Sequence, residues 1–356
     1  MWSLVRFLLS DWTIVWLKDK HPISAKLSAF LLRVIYACRR YDNLWSNKMA
    51  QYNLIDFCLK DRPSRWKKFL KLIKMKDKFD KYWYRRYVDV SPELKEFMFN
   101  DLKSKWQSIS SASYRHFSTL RGELALEEVH QLPNYDREYV KELDRSIEVE
   151  FDETIIRWHI ATDVCWKLDS DDNVIKNRPD IEKMITICEN VSNYLLYILV
   201  SRPFILTAGI GQVRYGDTCA EASNFFHGNE DYDKETIISL DSLTVCKRLV
   251  DVETDVAPMD VKGDRSKSVL FDGVKLAKAL RKLDDEQRWK TMSLVWMEML
   301  YYAASHCRGN YHAQRLSTGG ELLTLVWLLM AHLGIGDQYK VEAGHARAKL
   351  SVVADW

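Results

Sequence analysis

The sequence predicts an all-α fold, a single irregular multi-helix domain preceded by a basic amphipathic helical region. Three observations carry this. The 356 residues include only 13 glycines and 7 prolines, fewer than a loop-rich or sandwich-like β protein uses. An apolar content of 47% is enough to fill a large core. Apolar residues also recur at helical spacing, bracketed by capping signals, along most of the chain.

Residues 1–40 hold two apolar runs, each broken by charge. The first, residues 1–17, carries Trp2, Trp12 and Trp16 but is interrupted by Arg6 and Asp11. The second, residues 23–38, contains Lys26 and Arg33. A bilayer-spanning helix needs about 20 predominantly apolar residues, which neither run offers. A cleavable leader fits poorly as well, because Trp, Asp and Lys stand where small residues should follow. Both runs therefore read as membrane-proximal amphipathic helices, with rings and cations suited to the headgroup level.

Residues 41–118 form the basic helical region. Residues 1–110 carry 23 Lys or Arg against 11 Asp or Glu, so this end is cationic although the whole chain nets +2. Charge concentrates between residues 60 and 86, where twelve basic residues meet three acids among Trp66, Phe69, Phe79, Tyr82, Trp83 and Tyr84. Trp66, Phe69, Leu70 and Ile73 follow helical spacing and leave a cationic far face. Lys67, Lys68, Lys71, Lys74, Lys78, Arg85 and Arg86, with Trp2, Arg6, Trp12 and Trp16, are the candidate contacts to an anionic membrane or another polyanion. The interleaved aromatics keep RNA open as an alternative ligand. Ser91 and Pro92 then cap a helix whose Leu94, Phe97, Met98, Leu102 and Trp106 are expected on one side.

Residues 119–356 read as the helical domain. Helices are expected over residues 152–168, over 178–201 with Pro179 in the first turn, and after the capping pair Asp284 and Gln287. In that last helix Trp289, Met292, Trp296, Met299, Leu300 and Ala303 make one stripe. Thr318 and Glu321 repeat the capping pattern before an apolar core helix ending at Gly334. Residues 217–241 and 251–267 are the expected loops.

Candidate chemistry is sparse. The seven cysteines are scattered singly, without a CxxC pair, which fits a reducing compartment and no disulfide framework or zinc ribbon. His306 and His312 flank Cys307 and Arg308, but no complete ligand set for a metal is recognisable. His159 and Asp163, four residues apart, share a helix face and suit an acid–base or orienting pair. The run GIGQVRYG at residues 209–216 lacks the third glycine and the strand of a nucleotide loop, so it reads as a turn before a helix capped by Asp217. No cofactor motif is present.

Residues 289–336, WKTMSLVWMEMLYYAASHCRGNYHAQRLSTGGELLTLVWLLMAHLGIG, closely resemble the signature of the plant domain of unknown function 594 family. Residues 49–63, 151–165 and 199–222 resemble the companion domain of unknown function 4220. The resemblance implies several transmembrane helices ahead of the matched region, of which this chain would retain the end. It implies no catalytic residue, because the family's activity is unassigned.

The leading expectation is a membrane-proximal interaction or regulatory protein at the cytosolic face of a membrane, with a protein partner for its helical domain. Two alternatives remain open: a hydrolase-like or metal-dependent enzyme using His159, Asp163, His306 and His312, and an RNA-binding module using residues 60–86.

Overall fold

The computed structural model describes residues 48–60, 86–108, 119–131, 137–171, 178–206, 210–227, 241–252, 268–317 and 320–335. Among the described residues the fold is all-α, as composition and spacing predict, apart from one short ribbon. Strand β1 (Lys48–Gln51) leads into α1 (Leu54–Lys60), and β2 (Arg86–Asp89) into α2 (Pro92–Ser108). The strands pair antiparallel, with Lys48 opposite Asp89. There follow α3 (Glu123–His130), α4 (Arg137–Glu148), α5 (Phe151–Asp171), α6 (Pro179–Ser201), the short α7 (Pro203–Leu206) and α8 (Ile210–His227). The last described elements are α9 (Ser242–Asp251), α10 (Val269–Leu280), α11 (Asp285–His306), α12 (Gly309–Ser317) and α13 (Leu322–His332).

Helices α5, α6 and α11 form the centre. α5 packs on α10, α6, α9 and α4, and α6 packs on α5, α11 and β1. α11 in turn receives α13, α3 and α2. Gly273 lets α10 approach α5 closely, because a Cβ there would lie 2.8 Å from Ile160 Cβ and 3.1 Å from the Arg157 carbonyl. The predicted α11 stripe is buried from Trp289 to Ala303, and Asp284 caps the helix by accepting the Gln287 N–H at 3.0 Å. Helix α6 is long and apolar enough to cross a membrane, yet 78% of its most apolar window is buried inside the protein.

Buried tryptophans find acceptors for their indole N–H groups, as amphipathic rings in a core must. Trp158 donates to Ser146 Oγ and Trp296 to Thr162 Oγ1, each at 3.0 Å. Trp289 donates to Asp169 Oδ2 at 3.0 Å. Asp169 also meets Arg281 at 2.5 Å and Arg288 at 2.6 Å, so one buried carboxylate fixes the register of α5 against α11. Glu298 on α11 holds α3 in a similar way. Gly122, the residue before α3, has no side chain to cap it, and Glu298 instead accepts the Leu124 and Ala125 N–H groups at 3.3 and 3.1 Å. Lys105 of α2 balances that carboxylate at 3.0 Å. Residues 48–60 and 86–108 thus contribute Met49, Leu54, Ile55, Leu94, Met98 and Leu102 to the same core as the later helices.

The structure corrects several local expectations. The region expected as helix throughout contains the β1–β2 ribbon. Asp217 lies inside α8, which starts at Ile210 and continues through much of the expected loop. Gly211 serves close approach there and not a turn, since a Cβ would lie 2.6 Å from Leu199 Cδ1 and 3.0 Å from Asp152 Cβ. Arg214, one turn on, reaches Asp152 at 2.6 Å and secures the helix start against α5. Trp106 is 40% exposed and stands outside the face that buries Leu94, Met98 and Leu102.

Candidate functional site

His159 and Asp163 project from α5 into a polar seam between α5 and α6, where residues 51–56 cross both helices. Four consecutive residues are tied down. Gln51 donates its side-chain amide to Asn190 Oδ1 at 2.8 Å, and the Tyr52 N–H donates to the Asn193 carbonyl at 3.1 Å. The Asn53 side chain donates to Asn193 Oδ1 at 3.5 Å, and the Leu54 N–H donates to His159 Nε2 at 3.1 Å. Asn53 also caps α1 by accepting the Asp56 N–H at 2.8 Å, and Asp56 places a carboxylate in that first turn. His159 therefore satisfies one orphan amide of α1 and Asn53 another.

This geometry fixes the state of His159. Because Nε2 accepts an N–H, the proton must sit on Nδ1, which faces Ser192 Oγ at 2.8 Å. Burial lowers the imidazole to about 3, with the Asp56 charge and the bond to Ser192 opposing weakly. The ring is neutral, and its single lone pair is already used. It has no free nitrogen with which to take a substrate proton or ligate a metal.

Asp163 does not pair with His159, whose two nitrogens are both engaged elsewhere. Its carboxyl is buried and receives the Asn53 side chain, while Oδ2 has no hydrogen-bond partner. Desolvation pushes it up to about 7. Lys167 and Asn53 pull it down, whereas Asp56 and Glu189 add to the rise. Glu189, on α6, is itself raised by burial. The seam thus combines three carboxyl groups with amide side chains and one neutral imidazole, a structural clamp more than an acid–base pair.

The other candidates lie elsewhere. His312 is fully buried, facing the Ala304 carbonyl and Thr324 Oγ1 at 3.2 Å each and stacking on Trp327 at 4.7 Å. Burial lowers its basicity. His306 ends α11, exposed, where its ring stacks 3.9 Å from Tyr302. Neither shares a hydrogen-bond partner with His159 or Asp163, and among the described residues no group of three or more His, Cys, Asp or Glu could hold a metal ion. Cys58, Cys165, Cys188, Cys219, Cys246 and Cys307 are buried and form no disulfide among the described residues, and desolvation pushes the Cys165 and Cys307 thiols up to about 12, which leaves both protonated at neutral pH.

Of the candidate polyanion contacts, Arg86 is described, exposed at the start of β2. Trp2, Arg6, Trp12, Trp16, Lys67, Lys68, Lys71, Lys74, Lys78 and Arg85 lie outside the described residues, as does the expected amphipathic turn at Trp66 to Ile73. Gln51, Asn53, Asn190, Ser192 and Asn193 were not predicted. The signal that could have revealed the last three is their presence in a helix otherwise apolar enough to cross a membrane.

Comparison with known proteins gives two family matches. Residues 281–335 match the family described as protein of unknown function, DUF594, and residues 1–58 match the domain of unknown function DUF4220. No curated protein and no solved structure matches. Of the stretches resembling the companion domain, residues 49–58 fall inside its match, whereas 151–165 and 199–222 lie beyond either. The DUF594 match spans α11, α12 and α13, and the DUF4220 match takes in the clamped segment and ends within α1. The chain therefore carries the DUF594 signature at its C-terminal side together with a DUF4220 segment at its N-terminal end.

Proposed function

We propose that the protein is a membrane-proximal interaction or regulatory protein, whose basic N-terminal end meets the cytosolic face of an anionic membrane and whose helical domain binds another protein. The observation carrying this reading is the seam. Its best acid–base candidate, His159, is consumed in holding residues 51–54 onto α5 and α6. Its buried polar groups thereby fasten the chain between the apolar runs of residues 1–40 and the cationic residues 60–86 onto a large helical core.

Peripheral attachment is the favoured form of contact. A central Arg or Asp in a spanning helix costs about 2.5–3.5 kcal/mol even on the lenient insertion scale, whereas an interfacial helix lets Arg6, Lys26 and Arg33 reach headgroups. Cations of residues 60–86 each add about 1 kcal/mol close to an anionic surface. Fractionation of cells expressing the 356-residue chain tests this. Pelleting with membranes and release by high salt or alkaline carbonate supports the reading. Resistance to carbonate indicates a spanning chain, and recovery only in the soluble fraction refutes membrane contact.

A further inference from the structure

We propose that β2 is a self-association edge, pairing antiparallel with β2 of a second copy of this chain so that two ribbons join into one four-stranded sheet. The inference stands apart from the membrane reading above.

β2 is the outer strand of a two-stranded sheet whose inner strand, β1, packs on α6. The register sets its faces. Gln51 turns toward α6, where it meets Asn190, and Met49 is buried beside it, so Val88, opposite Met49, shares the inner face while Tyr87 and Asp89 take the outer one. Arg86, Tyr87 and Asp89 are exposed, Tyr87 by 56%. An edge strand presents a row of backbone groups to a further strand unless a lysine, a proline or a bulge blunts it. β2 reads Arg-Tyr-Val-Asp and pairs with β1 residue for residue, so it carries none of these devices.

Charge selects a second copy as the occupant. β2 is cationic where the chain enters it, at Arg86, the last of the twelve basic residues between 60 and 86. It is acidic where the chain leaves, at Asp89, with exposed Glu93 and Glu96 following in α2. Antiparallel pairing of two such strands brings the basic entrance of each beside the acidic exit of the other, twice over by symmetry, whereas parallel pairing sets like against like. Lys48 lies opposite Asp89 in the ribbon and the Arg86 charge reaches Glu189, but among the described residues neither Arg86 nor Asp89 is held in an ion pair.

Symmetry also narrows the register. Directly opposed residues in an antiparallel pair either both turn their N–H and C=O groups toward each other or both away, and the two cases alternate along each strand. Identical strands therefore pair symmetrically about a residue and not between two. Centring on Val88 would press Arg86 against Val90, which is 5% exposed. Centring on Tyr87 opposes the two exposed Tyr87 side chains, sets Arg86 against Val88 and leaves Asp89 beside the entrance of the second copy. A four-residue edge is short, so the dimer is weak and reversible.

The test is sedimentation velocity of the full chain over a range of sub-millimolar concentrations. A reversible dimer is expected. Arg86→Asp and Asp89→Arg should each weaken it about tenfold, because both meetings in the dimer become like-charged, and an equimolar mixture of the two variants should pair again. A chain that stays monomeric overturns the proposal, as does a dimer that neither variant weakens. Should either variant fail to fold, Tyr87→Cys decides. Opposed residues of a strand pair have Cα atoms about 4.5–5.5 Å apart, within disulfide range, so oxidised glutathione should link two copies at that position. Lys103→Cys, at an exposed position of α2, is the control, and equal linkage of the two variants overturns the proposal.

Discussion

Asp163 and His159 make opposite demands on pH, and removing either one exposes the other. Asp163 rises from 3.8 to about 7 on folding, so between those values the folded state holds a proton that the unfolded state has lost. Its contribution is fully present below pH 3.8 and is lost as pH rises to 7. His159 falls from 6.5 to about 3, so between those values the unfolded state holds the extra proton. Its contribution is fully present above pH 6.5 and is lost as pH falls. Over the shared window the two slopes oppose, and together they add little net pH dependence. Asp163→Asn removes one of them. Relative to the unaltered chain the variant should gain nothing near pH 4 and up to roughly 4 kcal/mol near pH 8, at about 1.36 kcal/mol per pH unit. His159→Gln should show the mirror image, a stability relative to the unaltered chain that improves by up to about 3 kcal/mol as pH falls from 6.5 to 4. That change sits on a constant loss from the weakened bond to the Leu54 N–H. Urea unfolding of all three chains at pH values from 4 to 8 gives both difference curves. A difference independent of pH for Asp163→Asn, or a loss that grows toward pH 8, refutes the assignment of Asp163 as a buried, proton-holding group.

Two further substitutions test the packing. Glu298→Ala removes the carboxylate that caps α3 and leaves Lys105 with Asp101, so a loss of about 2–4 kcal/mol is expected in chemical unfolding. A double-mutant cycle with Lys105→Met should give a coupling of at least about 1 kcal/mol, and additivity within about 0.5 kcal/mol would refute the pairing. Gly273→Ala places a methyl group against Ile160 and the Arg157 carbonyl, and overpacking of about 1–3 kcal/mol exceeds the helix-propensity gain of up to about 1 kcal/mol. A lower melting temperature is expected, and a higher one contradicts the close crossing of α5 and α10.

Much of the central framework was legible because its signals are local. Pro179 starts α6, Asp284 caps α11, and the stripe from Trp289 to Ala303 repeats at helical spacing within one segment. The ribbon was not legible, because Lys48–Gln51 and Arg86–Asp89 are four residues each and pair across a long stretch of chain. Trp106 was misplaced for a geometric reason. Steps of four residues turn about 400°, so each step from Leu94 through Met98 and Leu102 drifts about 40°, and by Trp106 the stripe has left the buried face. Gly211 looked like a turn residue because sequence cannot distinguish a glycine needed for positive φ from one needed for close approach.

The candidate site was half legible. Placing His159 and Asp163 on one helix face was correct, and α5 presents both to the same seam. What occupies each side chain depends on contacts more than 30 residues away in sequence: His159 with Leu54 and Ser192, Asn53 with Asn193, Gln51 with Asn190. Helical periodicity carries no information about such partners. The pairing expected from spacing alone therefore gave way to bonds that satisfy the first turn of α1.

The most direct test of a clamp in place of a catalytic base is the ring state of His159, read by NMR of the chain with isotope-labelled histidine and assigned by loss of its signals in His159→Gln. The account predicts the neutral Nδ1–H tautomer, unprotonated at Nε2, with shifts that do not titrate between pH 5 and 8. A ring that titrates near 6.5, or one protonated at Nε2, would mean that the Leu54 N–H does not occupy it and that His159 is free to do chemistry.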